Sequence, residues 1–115
     1  MKLPSEAELL RIFIGENDKH EGMPLYTWIV RKCHENGLAG ATVLRGLEGF
    51  GAHSRVHTAR LLRLSSDLPV VIEIVDERDK VEAFLSLIDD VIEEGLATIE
   101  RVQVHWYRSG KKGKE

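Results

Sequence analysis

The sequence predicts a small α+β domain whose strands and helices run in the order β-α-β-β-α-β. Three observations carry this. From Ala7 to Gly15 apolar and polar residues alternate, the two-residue period of a strand with unlike faces. Two later stretches, opening near Pro24 and near Asp76, repeat apolar residues at the spacing of an amphipathic helix. Between Leu68 and Val75 the chain is almost continuously apolar, as expected of a strand covered on both faces.

In the first strand Leu10, Ile12 and Ile14 fall on one face, with Arg11 and Phe13 on the other. A polar connection from Glu16 to Gly22 follows. Pro24 suits the first turn of a helix, where its missing N–H costs nothing. Tyr26, Ile29, Val30 and Cys33 then recur on one helical side, with Arg31, Lys32 and Glu35 opposite, and Gly37 supplies a left-handed stop. Ala41 to Leu44 reads as the second strand and Leu68 to Val75 as the third. Asp76 is placed to cap the second helix, with Asp79 and Glu82 adding negative charge at its positive end. Val81, Phe84, Leu85, Ile88, Val91 and Ile92 form its apolar stripe, which Gly95 ends. The last strand spans Ala97 to Tyr107. There the alternation changes parity between Ile99 and Val102, which predicts a bulge at Glu100-Arg101. Residues 1–108 form one domain, and the lysine-rich tail 109–115 is expected to be disordered. Right-handed crossovers turn this order into a ferredoxin-like fold: a four-stranded antiparallel sheet with both helices on one face.

Composition narrows the function classes. With 115 residues there is room for one core of modest margin, so self-association is a natural supplement. No apolar run approaches the roughly 18 residues of a membrane span, and the N-terminal residues lack a secretory pattern. Cys33 is the sole cysteine, which rules out an internal disulfide. A cytoplasmic location is expected. The net charge of −3 gives no general affinity for nucleic acid. RNA-recognition domains stack bases on aromatics of their central strands, whereas here Leu10 to Ile14 offers only Phe13 and Val70 to Ile74 offers none.

The connection from Arg45 to Asp67 is far longer than a hairpin needs, and loops of this length in compact domains tend to bind. Ala59 to Leu64 is a candidate extension of the sheet. Between Arg45 and Arg63, four arginines (Arg45, Arg55, Arg60 and Arg63) meet one acid, Glu48. Gly46, Gly49 and Gly51 allow positive φ and bare amides; with arginines they suit a phosphate or carboxylate. His53 and His57 add donors that titrate near neutrality. A structural reading stands beside this one, with glycines serving a bulge and arginines solvated or paired with acids of a neighbouring subunit. Gly46 to Gly49 matches neither a Walker loop nor a dinucleotide fingerprint.

The alternatives are weaker. His53 and His57 have the i, i+4 spacing of helical metal ligands, but the sequence fixes no third ligand. Cys33 beside His34 resembles a nucleophile and base, yet adjacent helical residues point about 100° apart, and Cys33 lies in the apolar stripe. Glu16, Asp18 and Glu21 are placed to meet a ligand or cation, or simply to form a polar surface loop. Asp89, Asp90, Glu93 and Glu94 read as a solvated acidic surface. No nucleophile–base pair stands out, so a binding protein is expected rather than an enzyme.

Gly15-Glu16 through Pro24-Leu25-Tyr26, the run from Gly37 to Gly51, and the run from Leu64 to Asp76 resemble the small PII-like proteins grouped as domain of unknown function one hundred and ninety. The resemblance covers Leu9 to about Tyr107. It implies a ferredoxin-like fold, a homotrimer, and kinship with PII nitrogen-regulatory and divalent-cation-tolerance proteins. It further implies an adenine nucleotide or other small anion bound between subunits, with Arg45 to Arg60 on a signalling loop toward a membrane or cytosolic partner. Arg45, Gly46, Gly49, Gly51, His53, Arg55, His57 and Arg60 are then the candidate ligand-binding residues. Kinship with the divalent-cation-tolerance proteins implies an alternative, a metal-linked stress-response protein using His53 and His57. The glycine-rich phosphate cradle of PII proteins after the second helix has no counterpart in Glu94-Gly95-Leu96-Ala97-Thr98.

Overall fold

A computed structural model of the chain describes residues 3–50, 57–58 and 67–110. Among them the elements are β1 (Glu6–Gly15), β2 (Lys19–His20), β3 (Met23–Pro24), α1 (Leu25–Glu35), β4 (Thr42–Arg45), β5 (Glu48–Gly49), β6 (His57–Thr58), β7 (Pro69–Asp76), α2 (Arg78–Ile88) and β8 (Leu96–Gln103). The main sheet has the order β4-β7-β1-β8, with every neighbouring pair antiparallel. This is the ferredoxin-like arrangement that the element order implies. The expected sheet extension at Ala59–Leu64 and the tail beyond Gly110 lie outside the described residues.

Leu10, Ile12 and Ile14 of β1 and Val70, Ile72 and Ile74 of β7 share one face and are buried there. α1 covers them with Leu25, Trp28, Ile29 and Cys33, and α2 with Val81, Phe84 and Ile88. Each such aliphatic side chain contributes about 1.5–3 kcal/mol by leaving water. The stripe on α1 is rotated from the expected one: Leu25 and Trp28 replace Tyr26 and Val30, which stay half-buried at its margin. The large indole ring takes the inward position. Pro24 stands just before the helix rather than in its first turn, and pairs with Lys19 in the β2–β3 ladder. Gly37 is the left-handed stop that was expected, at φ +74°.

Three expectations are corrected. Asp76 does not cap α2; the cap position is Glu77, with no side-chain hydrogen bond. The Asp76 carboxylate is buried, and accepts from the Glu77 N–H at 2.7 Å and the Ala39 N–H at 2.8 Å. It therefore ties the start of α2 to the segment entering β4. Second, α2 ends at Ile88, so Val91 and Ile92 pack on the core from a turn. Gly95 is required by close approach, since a Cβ there would lie 2.7 Å from the Phe13 carbonyl oxygen. Third, β8 pairs with β1 without interruption from Phe13↔Leu96 to Glu6↔Gln103, so there is no bulge. Ala97 and Ile99 lie opposite Ile12 and Leu10, on the helix side, whereas Leu96 and Val102 lie opposite Phe13 and Ala7. The change of parity arises because both faces of the sheet receive apolar residues.

The β2–β3 hairpin turns at Glu21 and Gly22, with φ of 52° and 79°. Two successive positive φ values are those of a type I′ turn, which favours Asn-Gly. Glu21 carries a side chain in the left-handed region, a costly conformation for most residues. Its carboxylate lies 3.5 Å from His20 Nε2, an exposed contact of little worth. Glu21→Asn is expected to raise stability by about 0.5 kcal/mol, read as a higher urea midpoint at fixed protein concentration.

Candidate functional site

The long connection leaves the sheet at the end of β4. The Gly46 N–H donates to the Pro69 carbonyl at 2.7 Å. A Cβ on Gly46 would fall 2.8 Å from Pro69 Cγ, and one on Gly49 3.1 Å from the same atom. These two glycines let the connection pass against the proline ring, and the Gly46 amide is committed to the backbone. Glu48 and Gly49 then pair with Thr58 and His57 in a short antiparallel ladder, β5–β6. Leu47 and Phe50, at 78% and 66% exposure, stand out beside it.

Arg45 closes the base of the connection. Its Nε lies 3.0 Å from Glu16 Oε2 and its Nη2 donates to Glu16 Oε1 at 3.3 Å, a two-pronged pair. The guanidinium remains largely exposed. The polar connection after β1 is thus a clamp. The Glu16 N–H donates to the Leu68 carbonyl at 2.8 Å, the Asn17 N–H to Asp67 Oδ1 at 2.7 Å, and the Gly15 N–H to Asp18 Oδ2 at 3.0 Å. A Cβ on Gly15 would lie 2.6 Å from Asp67 Oδ2, so glycine is needed where the far end of the connection returns. Glu16 and Asp67 together fasten both ends of the connection to the end of β1.

Of the sequence-derived candidates, Arg45, Gly46 and Gly49 come together at this base. His57 lies in β6, in a strand pairing rather than on a helix, so the helical i, i+4 geometry does not apply at that residue. Gly51, His53, Arg55 and Arg60 lie outside the described residues. Among the described residues no group of three or more His, Cys, Asp or Glu side chains is placed to hold a metal ion. Burial pushes the Cys33 thiol up to about 11, with the Asp76 charge adding to the effect. Cys33 is therefore a neutral core thiol at physiological pH, as its place in the apolar stripe indicates.

Two further features were not singled out from the sequence. Beside the end of β8, a cavity of about 320 Å³ is lined by Ser5, His105, Trp106, Tyr107 and Arg108 among others. The Arg108 guanidinium lies 4.3 Å from the Trp106 ring centre, and Trp106 is 62% exposed. The second feature is the sheet face away from the helices. By register it carries Leu9, Arg11 and Phe13 from β1, Val71, Glu73 and Val75 from β7, and Leu96, Glu100 and Val102 from β8. Arg11 Nε pairs with Glu73 Oε2 at 3.0 Å and its Nη1 with Glu100 Oε1. Hydrogen bonds to Glu73 and then Glu100 raise the already high pKa of Arg11. The signal for this cluster was two charges in otherwise apolar strands, Arg11 and Glu73. Among the described residues no helix is long and apolar enough to cross a membrane.

The DUF190 family, described as "Uncharacterized ACR", matches residues 7–104. A UPF0166 protein of Aquifex aeolicus is 42% identical over 97 residues, covering 84% of this chain and 91% of that protein. A UPF0166 protein of Methanocaldococcus jannaschii is 36% identical over 101 residues, covering 87% and 93%. Among solved structures, CPII of Thiomonas intermedia K12, a nitrogen regulatory PII-like protein bound to ADP, AMP and bicarbonate, is similar at a TM-score of 0.66. Its identity is 19%, with 86% of this chain and 88% of that chain covered. A putative PII-like signalling protein of Thermus thermophilus aligns at a TM-score of 0.61 and 14% identity, covering 86% and 89%.

Proposed function

The chain belongs to the DUF190 family, and on that premise we propose that it is a PII-like sensor that binds a small anion, an adenine nucleotide, between subunits. It works by binding rather than catalysis, in the cytoplasm, and passes its signal to a membrane or cytosolic partner through the connection between β4 and β7. The observation that carries this reading is the base of that connection. A segment rich in arginine is fastened to the sheet at both ends, by Glu16 with Arg45 and by Asp67 with Asn17. The PII-like fold, and the ADP and AMP held by the structurally similar CPII, support a nucleotide as the anion.

Self-association supplies the interface. The helix-free sheet face is apolar apart from one charged cluster, and Leu44 and Leu96 on it are 48% and 58% exposed. Strands about 4.8 Å apart, rising about 3.3 Å per residue, give this face roughly 400–500 Å². That is over half of the roughly 800 Å² per partner in a stable complex, and an apolar patch of this size marks an interaction surface. β8 adds an exposed edge to it. A second copy fits best, because the face is largely apolar and its three charges are joined to one another in a single cluster; three copies is the number that the family resemblance implies.

Calorimetric titration with AMP, ADP, ATP and inorganic phosphate tests the ligand, and light scattering at several concentrations tests the assembly. Arg55→Ala and Arg60→Ala are each expected to weaken nucleotide binding by about 1–3 kcal/mol, the worth of a charged hydrogen bond. Unchanged affinity in both variants would remove these arginines from the site. Neither heat nor a melting shift with any nucleotide would overturn the nucleotide reading.

A further inference from the structure

The helix-free face carries three charges in the register of its four strands: Arg11 on β1, Glu73 on β7 and Glu100 on β8. Its other positions, including Thr42, Leu44 and Thr98, are uncharged. The three are joined to one another, since Arg11 bridges the two carboxylates across the central strand. One cation against two anions leaves the cluster at −1. Without Arg11 the same patch would stand at −2, inside a surface that is otherwise uncharged.

We infer that the Arg11–Glu73–Glu100 cluster governs how tightly copies of this chain associate, with Arg11 as the residue that lets the apolar face close. The inference rests on the self-association proposed above and adds its regulation. When copies meet through this face, equal −1 clusters are brought together and drawn out of water. Like charges repel most strongly where the dielectric falls, and burying uncompensated charge opposes association. Added salt screens that repulsion while the face is still wet. Association should therefore tighten as salt rises, and should track the charge of the cluster through −2, −1 and 0. Glu100 is the natural point of adjustment, because it is the most exposed member, on the edge strand β8.

The test is the dissociation midpoint on dilution, or the rate of subunit exchange, followed from low to high sodium chloride. Glu100→Gln brings the cluster to zero with an isosteric side chain at an exposed position. It should tighten association several-fold and flatten the salt dependence. Arg11→Gln leaves two carboxylates without their cation; it should weaken association by about tenfold or more and steepen the salt dependence. Glu82→Gln makes the same change in net charge as Glu100→Gln, but on α2, where Glu82 pairs with Arg78. It should behave as the unsubstituted chain. Equal midpoints for the Glu100, Arg11 and Glu82 variants would overturn the role of the cluster while leaving self-association intact. A chain monomeric at every concentration and salt would overturn the assembly, and this inference with it. Circular dichroism checks folding, and should Arg11→Gln not fold, Glu100→Gln against Glu82→Gln decides the matter alone.

Discussion

Ile72→Ala is expected to lower folding stability by about 3 kcal/mol, read from urea unfolding at a fixed protein concentration. Ile72 has no exposed surface and sits in β7 between Ile12 of β1 and Val43 of β4. Both helices close over this face, so removing the side chain leaves a cavity that neither sheet nor helix can fill by small shifts. The cost joins lost transfer energy to lost packing, which places it well above the effect of any surface change. A loss below about 1 kcal/mol would mean that the helices can settle into the space, and that the core is looser than its burial indicates.

Asp76→Ala is expected to cost a similar amount, about 3 kcal/mol, by a different route. Asp76 is 2% exposed, and its two oxygens take the Ala39 and Glu77 amides. Alanine would strand both N–H groups where water has little access. Asp76→Asn keeps one acceptor oxygen and turns an NH₂ toward the other amide, so it should lie between wild type and alanine. If asparagine proves as harmful as alanine, the charge matters more than the acceptor count. If both are mild, water reaches the two amides. Thermal unfolding of the three proteins at one concentration separates these outcomes.

The fold was legible because the sequence pattern and the physical environment agree. Leu10, Ile12 and Ile14 alternate because one face of β1 lies under helices, and Pro69 to Val75 is apolar except for Glu73 because β7 lies in the sheet with both faces largely apolar. The last strand was harder to read, because period-2 reasoning assumes one wet face. Val102 broke parity with Ile99 since the helix-free face is also apolar, a condition that a single strand viewed alone does not reveal. Asp76 has the spacing of a cap, and the amide that claims its other oxygen belongs to Ala39, 37 positions away. The candidate site was legible as a region rather than as a set of contacts. Loop length, glycine and arginine pointed to the connection, but the clamp at its base depends on Glu16 meeting Arg45 across 29 positions, and Asn17 meeting Asp67 across 50. Gly46 and Gly49 were expected to offer bare amides to a ligand, whereas the Gly46 amide bonds to the Pro69 carbonyl and both glycines give room to the Pro69 ring.

The position of β1 also bears on how the protein is made. β1 lies in the middle of the sheet, and both of the strands beside it follow much later in the sequence. Arg11 meets Glu73 across 62 positions and Glu100 across 89. The nascent segment must therefore wait with both edges bare until β7 and then β8 have emerged. Folding dominated by such distant pairings is slow, and an unpaired apolar strand is the species most open to mispairing with a neighbouring nascent chain. Translation speed between β7 and β8 thus becomes a variable of yield as well as of rate.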